Sequence, residues 1–131
     1  MLRLFRVVTV LALLAVAATA SAQFGHPLKG TWSGDWGTSA TNRTHVVLDI
    51  NWDGKIISSS LNPGANGVAL KTTLDPATWM VHFEGDGKGN GGANVHYVID
   101  GKVENLGSFA RDIKGTWTQG SQKGTFKVTR N

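Results

Sequence analysis

The stretch Arg43–Leu61, which reads RTHVVLDINW, then DG, then KIISSSL, decides the fold. In its first arm Val46, Leu48, Ile50 and Trp52 fall on one face, and His45, Val47, Asp49 and Asn51 on the other. A period of two is the pattern of a strand with one buried face. Asp53-Gly54 supplies the two positive-φ positions of a type I′ turn, so Lys55–Leu61 is expected to return as the second arm of a hairpin.

The same pattern extends in both directions. Upstream, Lys29–Trp36 carries Trp32, Gly34 and Trp36 in phase. Downstream, Asn62-Pro63-Gly64 breaks the chain, and Gly67–Leu74 resumes with Val68, Leu70, Thr72 and Leu74 aligned. Asp75-Pro76-Ala77 is a turn, because Pro fixes φ and Asp favours turn starts. Thr78–Glu84 follows with Trp79, Val81 and Phe83 on one side, then a glycine-rich connection, Gly85–Gly92. Asn94–Val103, Asp112–Gln119 and Lys123–Arg130 complete the set. No window after the first 22 residues has helical recurrence, and no connection is long enough to hide a crossover helix. The expectation is an all-β, eight-stranded, antiparallel up-and-down barrel, whose closure removes both exposed edges. Asp100-Gly101 leaves one alternative open: a tight turn there would make nine strands and favour a sandwich.

Met1–Ala22 reads as a signal-peptide helix. Arg3 and Arg6 precede an apolar run, Val7–Ala20, that is too short for a bilayer span, and Ala20-Ser21-Ala22 presents small residues for cleavage before Gln23. The expected domain is therefore 23–131, periplasmic or secreted, with no membrane attachment once the signal is cleaved. Arg3 and Arg6 leave with the signal, so the 13 basic residues fall to 11 against nine acidic ones, and the net charge of +4 falls to +2. The remaining Lys and Arg form no cluster, which argues against a nucleic-acid partner. There is no cysteine, so the core must hold the fold without disulfides.

Gly30-Thr31-Trp32 resembles the opening of the first strand in the calycins, the lipocalins and avidins. Lipocalins also place an Arg near the end of the last strand, packed over that Trp at the closed end, and Arg130 is in the matching place. Ile113–Gly120, Lys123-Gly124-Thr125-Phe126 and Trp52-Asp53-Gly54-Lys55 are similar to small bacterial lipocalin-like domains of uncharacterised function, which also occur fused ahead of α/β-hydrolase domains. The resemblance implies a fold and a structural closure by Trp32 and Arg130. It implies no ligand, since the avidin ligand residues have no counterparts here. Gly115-Thr116-Trp117 echoes Gly30-Thr31-Trp32, and in a closed barrel the two pieces would meet if the echo is structural.

Chemistry leaves few candidates. Gly30-Thr-Trp-Ser33-Gly34 lacks the spacing of a nucleophile elbow and lies in a strand, and no Ser has a His placed near it, so no enzyme activity is expected. The glycine segment lacks the helix that a phosphate cradle needs, and carries Lys88 where a calcium loop needs a ligand; no cofactor is implied. If the flanking strands pair symmetrically about it, His82 faces His96 and Glu84 faces Asn94 on the outer surface. Two imidazoles and a carboxylate are metal-ligand types, but without a fourth ligand these are weak candidates for a metal, and the expected metal count is none. The five Trp are the stronger signal. Trp36, Trp52, Trp79 and Tyr97 are the candidate ligand-binding residues in the barrel interior or mouth. Two readings follow: a binding module for a small, partly apolar ligand, or a filled barrel serving as an interaction module or hydrolase accessory domain.

Overall fold

The computed structural model describes residues 26–89 and 92–131. The signal-peptide reading of 1–22 lies outside the described residues, as do Asn90 and Gly91 of the glycine segment.

Eight strands run in sequence order around a closed antiparallel barrel. They are β1 (Gly30–Gly37), β2 (Arg43–Trp52), β3 (Ile57–Leu61), β4 (Val68–Asp75), β5 (Met80–Lys88), β6 (Asn94–Glu104), β7 (Asp112–Gln119) and β8 (Gln122–Arg130). β8 pairs back onto β1 from Trp32↔Arg130 to Gly37↔Thr125, so no edge is left open. The architecture is consistent with a calycin-like fold.

β6 is one unbroken strand through Asp100 and Gly101, which excludes a ninth strand. Gly101 is there for space. A Cβ on it would lie 2.7 Å from Ile113 Cγ2 and 2.9 Å from Phe126 Cζ, so the Phe126 ring takes the volume that a side chain would need.

Three local expectations change. The hairpin after Trp52 closes at Trp52↔Ile57, and its turn is not type I′, because Gly54 has positive φ while Asp53 does not. Asp53 instead accepts the Lys55 and Ile56 amides on its side chain, the hydrogen-bonding habit of Asp in turns. Trp79 is not in a strand. It sits in the left-handed region at φ 60°, tied by its amide to the Asp75 carbonyl and by its own carbonyl to the Val103 amide. That conformation costs about 1–2 kcal/mol for a residue with a Cβ, offset here by packing of the indole against the core. Gly85–Lys88 is strand rather than loop. β4 lies so close that a Cβ on Gly85 would stand 2.2 Å from the Ala69 carbonyl oxygen, and one on Gly87 2.5 Å from Val68 Cγ2. Those glycines permit pairing instead of interrupting it.

The alternating inward residues fill the barrel from the end where the chain enters. Leu28, Trp32, Ile50, Val81, Phe83, Val103, Ile113 and Val128 are buried there or at mid-height. Ser59 and Thr72 are buried among them and satisfy each other, hydroxyl to hydroxyl at 2.7 Å. Trp32 is fully buried and its indole N–H donates to the Leu28 carbonyl at 2.8 Å, which seats the entering chain across this end as a plug.

Trp32→Ala is expected to cost about 3–5 kcal/mol in urea unfolding, from lost burial and an unfilled cavity. Gly101→Ala should cost about 1–3 kcal/mol by overpacking against Phe126. A wild-type unfolding midpoint in either variant would contradict the packing described.

Candidate functional site

Among the described residues, the other end of the barrel is open. A cavity of about 650 Å³ opens there, with Trp36, Leu61, Val68 and Tyr97 as apolar walls and Asn62, Asn66, Lys88 and Gln119 as polar ones. A second hollow of about 340 Å³ lies across Trp36 and is lined by Thr38, Asn42, Thr44, Trp117 and Gln122. Trp36 and Gln119 line both, so the indole is a partition within one mouth.

The local bonding holds this mouth in shape. Trp36 leans on Trp117 with centroids 5.1 Å apart and a 46° tilt, the offset geometry that ring quadrupoles favour. The Trp117 indole N–H donates to the Thr125 carbonyl at 3.0 Å, and the Tyr97 hydroxyl donates to the Lys88 carbonyl at 3.0 Å. Burial raises the Tyr97 pKa, keeping the hydroxyl a donor. Asn62 takes a left-handed conformation at φ 46° and exchanges two bonds with Val47, its amide donating to the carbonyl and its side-chain oxygen accepting the amide. That clamp fixes the β3–β4 connection at the rim.

The four aromatic candidates do not form one site. Trp36 and Tyr97 are at the open mouth, whereas Trp52, paired with Ile57, and Trp79, next to the start of β5, are at the plugged end. Trp52 packs there against His26, with centroids 5.6 Å apart. The Gly-Thr-Trp echo also separates: Trp32 is level with Arg130, while Trp117 is level with Gly124 and meets Trp36 instead.

Arg130 lies across the plugged end. Its guanidinium carbon is 5.7 Å from the Trp32 ring centroid and 4.4 Å from that of Phe109. Its Nη1 donates to the Pro27 carbonyl at 3.0 Å and its Nε to the Phe109 carbonyl at 3.0 Å. Arg111 donates to the same Pro27 oxygen at 3.1 Å. Burial, and then the Arg111 charge, lower the Arg130 pKa from its ordinary value. Every one of these contacts joins parts of the chain far apart in sequence, which is a structural role.

On the outer surface β5 and β6 present alternate residues, and the pairing differs from the symmetrical one. His82 faces Asp100 and Asp86 faces His96, because the strands continue through Gly85–Lys88. Glu84 lies between the two rings, 2.9 Å from His82 Nε2 and 3.2 Å from His96 Nε2. The Nδ1 atoms meet Asp100 at 2.5 Å and Asp86 at 2.8 Å. Hydrogen bonds to Asp100 and then Glu84 raise the His82 pKa, and a bond to Asp86 does most to raise that of His96. The His82 bond chiefly lowers the pKa of Glu84. The sequence pattern does not place Asp86 and Asp100 beside the histidines under symmetrical pairing, although His82-x-Glu84-x-Asp86 and His96-x-Val98-x-Asp100 carry the outward phase plainly. It does not single out Asn62, Asn66 and Gln119 either, since nothing local marks a polar residue as facing a barrel mouth.

No family model, curated protein or solved structure matches this chain.

The raised histidine pKa values give a stability term that is fully present below the ordinary 6.5 and lost as pH rises through the folded values. The lowered Glu84 value adds a term present above 4.5 and lost in acid. The cluster therefore stabilises most between those two limits. His26 opposes it, because burial lowers its pKa and so favours the fold at higher pH. Urea unfolding with chelator across pH 5–9 is expected to show that His82→Gln/His96→Gln removes the part of wild-type stability that fades as pH rises beyond the ordinary histidine value of 6.5; identical profiles would refute the coupling.

Proposed function

We propose that this chain is an exported bacterial lipocalin-like barrel, periplasmic or secreted, that takes one small, partly apolar ligand at its open end. The observation that carries the reading is the open cavity of about 650 Å³ above a filled lower barrel. That volume is in the range of ligand pockets, roughly 300–1,000 Å³. The walls suit a ligand with a flat or branched apolar body against Trp36, Val68 and Tyr97. A polar or anionic head would reach Asn62, Asn66, Gln119 and Lys88 at the rim. The alternative, a filled-barrel interaction or accessory module, draws its support from the packed lower half.

Titration with anilinonaphthalene sulfonate, aromatic carboxylates and medium-chain fatty acids, read by tryptophan fluorescence, tests the proposal. One saturable site per chain is expected. Trp36→Ala should weaken it by about tenfold, the equivalent of ~1.4 kcal/mol, and Lys88→Gln should weaken only the anionic members. No saturable response across the panel would leave the filled-barrel reading standing.

A further inference from the structure

The cluster on the outer face of β5 and β6 shares no residue with the mouth. Both Nε2 atoms converge on the single Glu84 carboxylate, and each Nδ1 is backed by a separate carboxylate. A carboxylate oxygen only accepts, so each ring satisfies both of its contacts only as a doubly protonated imidazolium.

We propose that this cluster is a surface site for one divalent transition-metal ion of the Zn²⁺ type, ligated by His82 Nε2, His96 Nε2 and Glu84, with solvent completing the tetrahedron. Two features support it. Imidazole with carboxylate is a donor set that such ions take, at about 2.0–2.2 Å. Asp100 and Asp86 stand where second carboxylates stand behind metal-bound histidines, holding each ring by Nδ1 so that Nε2 is presented. Loading displaces the Nε2 protons of the two rings. Each proton passes to solvent, and no bond to carbon changes.

The approach is open. A surface hollow of about 410 Å³ is lined by Lys71, Thr73, His82, Glu84, Asp86 and His96. In the hydrogen-bonded arrangement the donors are closed on one another, and among the described residues no three His, Asp or Glu side chains already surround a metal position. Loading therefore requires Glu84 to withdraw from between the rings and turn one oxygen to the ion. Its side chain is 46 % exposed and free to do so, while the paired strands hold the two histidines. Lys71, opposite Glu84 on β4, is the competing cation.

Calorimetric titration of chelator-treated full-length chain with ZnCl₂ near neutral pH tests this. One ion per chain is expected, with proton release revealed by repeating the titration in buffers of different ionisation enthalpy. His82→Ala and His96→Ala should each abolish binding. Asp100→Asn and Asp86→Asn should weaken it by about 10–100-fold, and Lys71→Gln should strengthen it. His45→Ala, on another strand, should leave it unchanged. Glu84→Gln alters an exposed side chain isosterically and is expected to weaken binding even if a histidine variant folds poorly. No binding tighter than about 1 mM, or wild-type affinity in Glu84→Gln or a folded His82→Ala/His96→Ala chain, would overturn the site. Either result leaves the open-end ligand proposal as it was.

Discussion

Trp32 and Arg130 are paired across the seam where the last strand meets the first, and the remaining architecture depends on that junction. An eight-stranded sheet that failed to close would expose two rows of unpaired backbone groups. Backbone pairing alone does not fix where closure occurs, since a β-ladder slides in steps of two without changing which face is buried. The side chains supply the register. Trp32 donates to Leu28, Arg130 donates to Pro27 and lies over both Trp32 and Phe109, and Asn131 continues the seam by donating its amide to the Thr31 carbonyl. A shift of two residues between β1 and β8 would break the contacts of Arg130 with Pro27 and Trp32 and the Asn131–Thr31 bond at once.

With one end sealed by large side chains, the distribution of free volume follows from geometry. An eight-stranded barrel has an interior just wide enough for side chains to fill. Trp32, Phe83, Phe126 and their aliphatic neighbours occupy the lower and middle levels, and Gly101 yields its share to Phe126. At the other end the inward positions include Trp36, Tyr97 and Gln119, which line the cavity. The cavity at this end is thus a consequence of where the bulky residues were spent.

Alternation made the fold legible and the outer-face chemistry only half so. Val46, Leu48, Ile50, Val81, Phe83, Tyr97 and Ile99 all face inward as their phase requires. Symmetrical pairing about the glycine segment placed His82 opposite His96; the actual partner, Asp100, lies four residues further along β6. Four is even, so the inside and outside assignments survive such an error intact while every cross-strand partner changes. Core composition is insensitive to that kind of mistake, and a polar cluster is defined by it. The cause was the reading of Gly85 and Gly87 as loop residues, when close approach of β4 requires glycine within a strand. Trp79 shows the complementary limit: its phase fits a strand, and tertiary bonds to Asp75 and Val103 hold it in a turn.

The two candidate regions share a relation to the parts that hold the fold. Neither includes Trp32, Arg130, Leu28 or the buried Ser59–Thr72 pair. The mouth combines the core side chains Leu61, Val68 and Tyr97 with strand ends and connections, where substitutions disturb fewer packed neighbours. The His82–Glu84–His96 cluster draws on the outward phase of two long strands, whose inward phase does the packing. Alternation therefore separates the candidate site from the packed core on the same segment: His82 and Phe83 are adjacent in sequence, yet one is half-exposed among carboxylates and the other is fully buried. A closed barrel with one plugged end can alter its mouth and its outer face independently, because the register that sets both is held elsewhere.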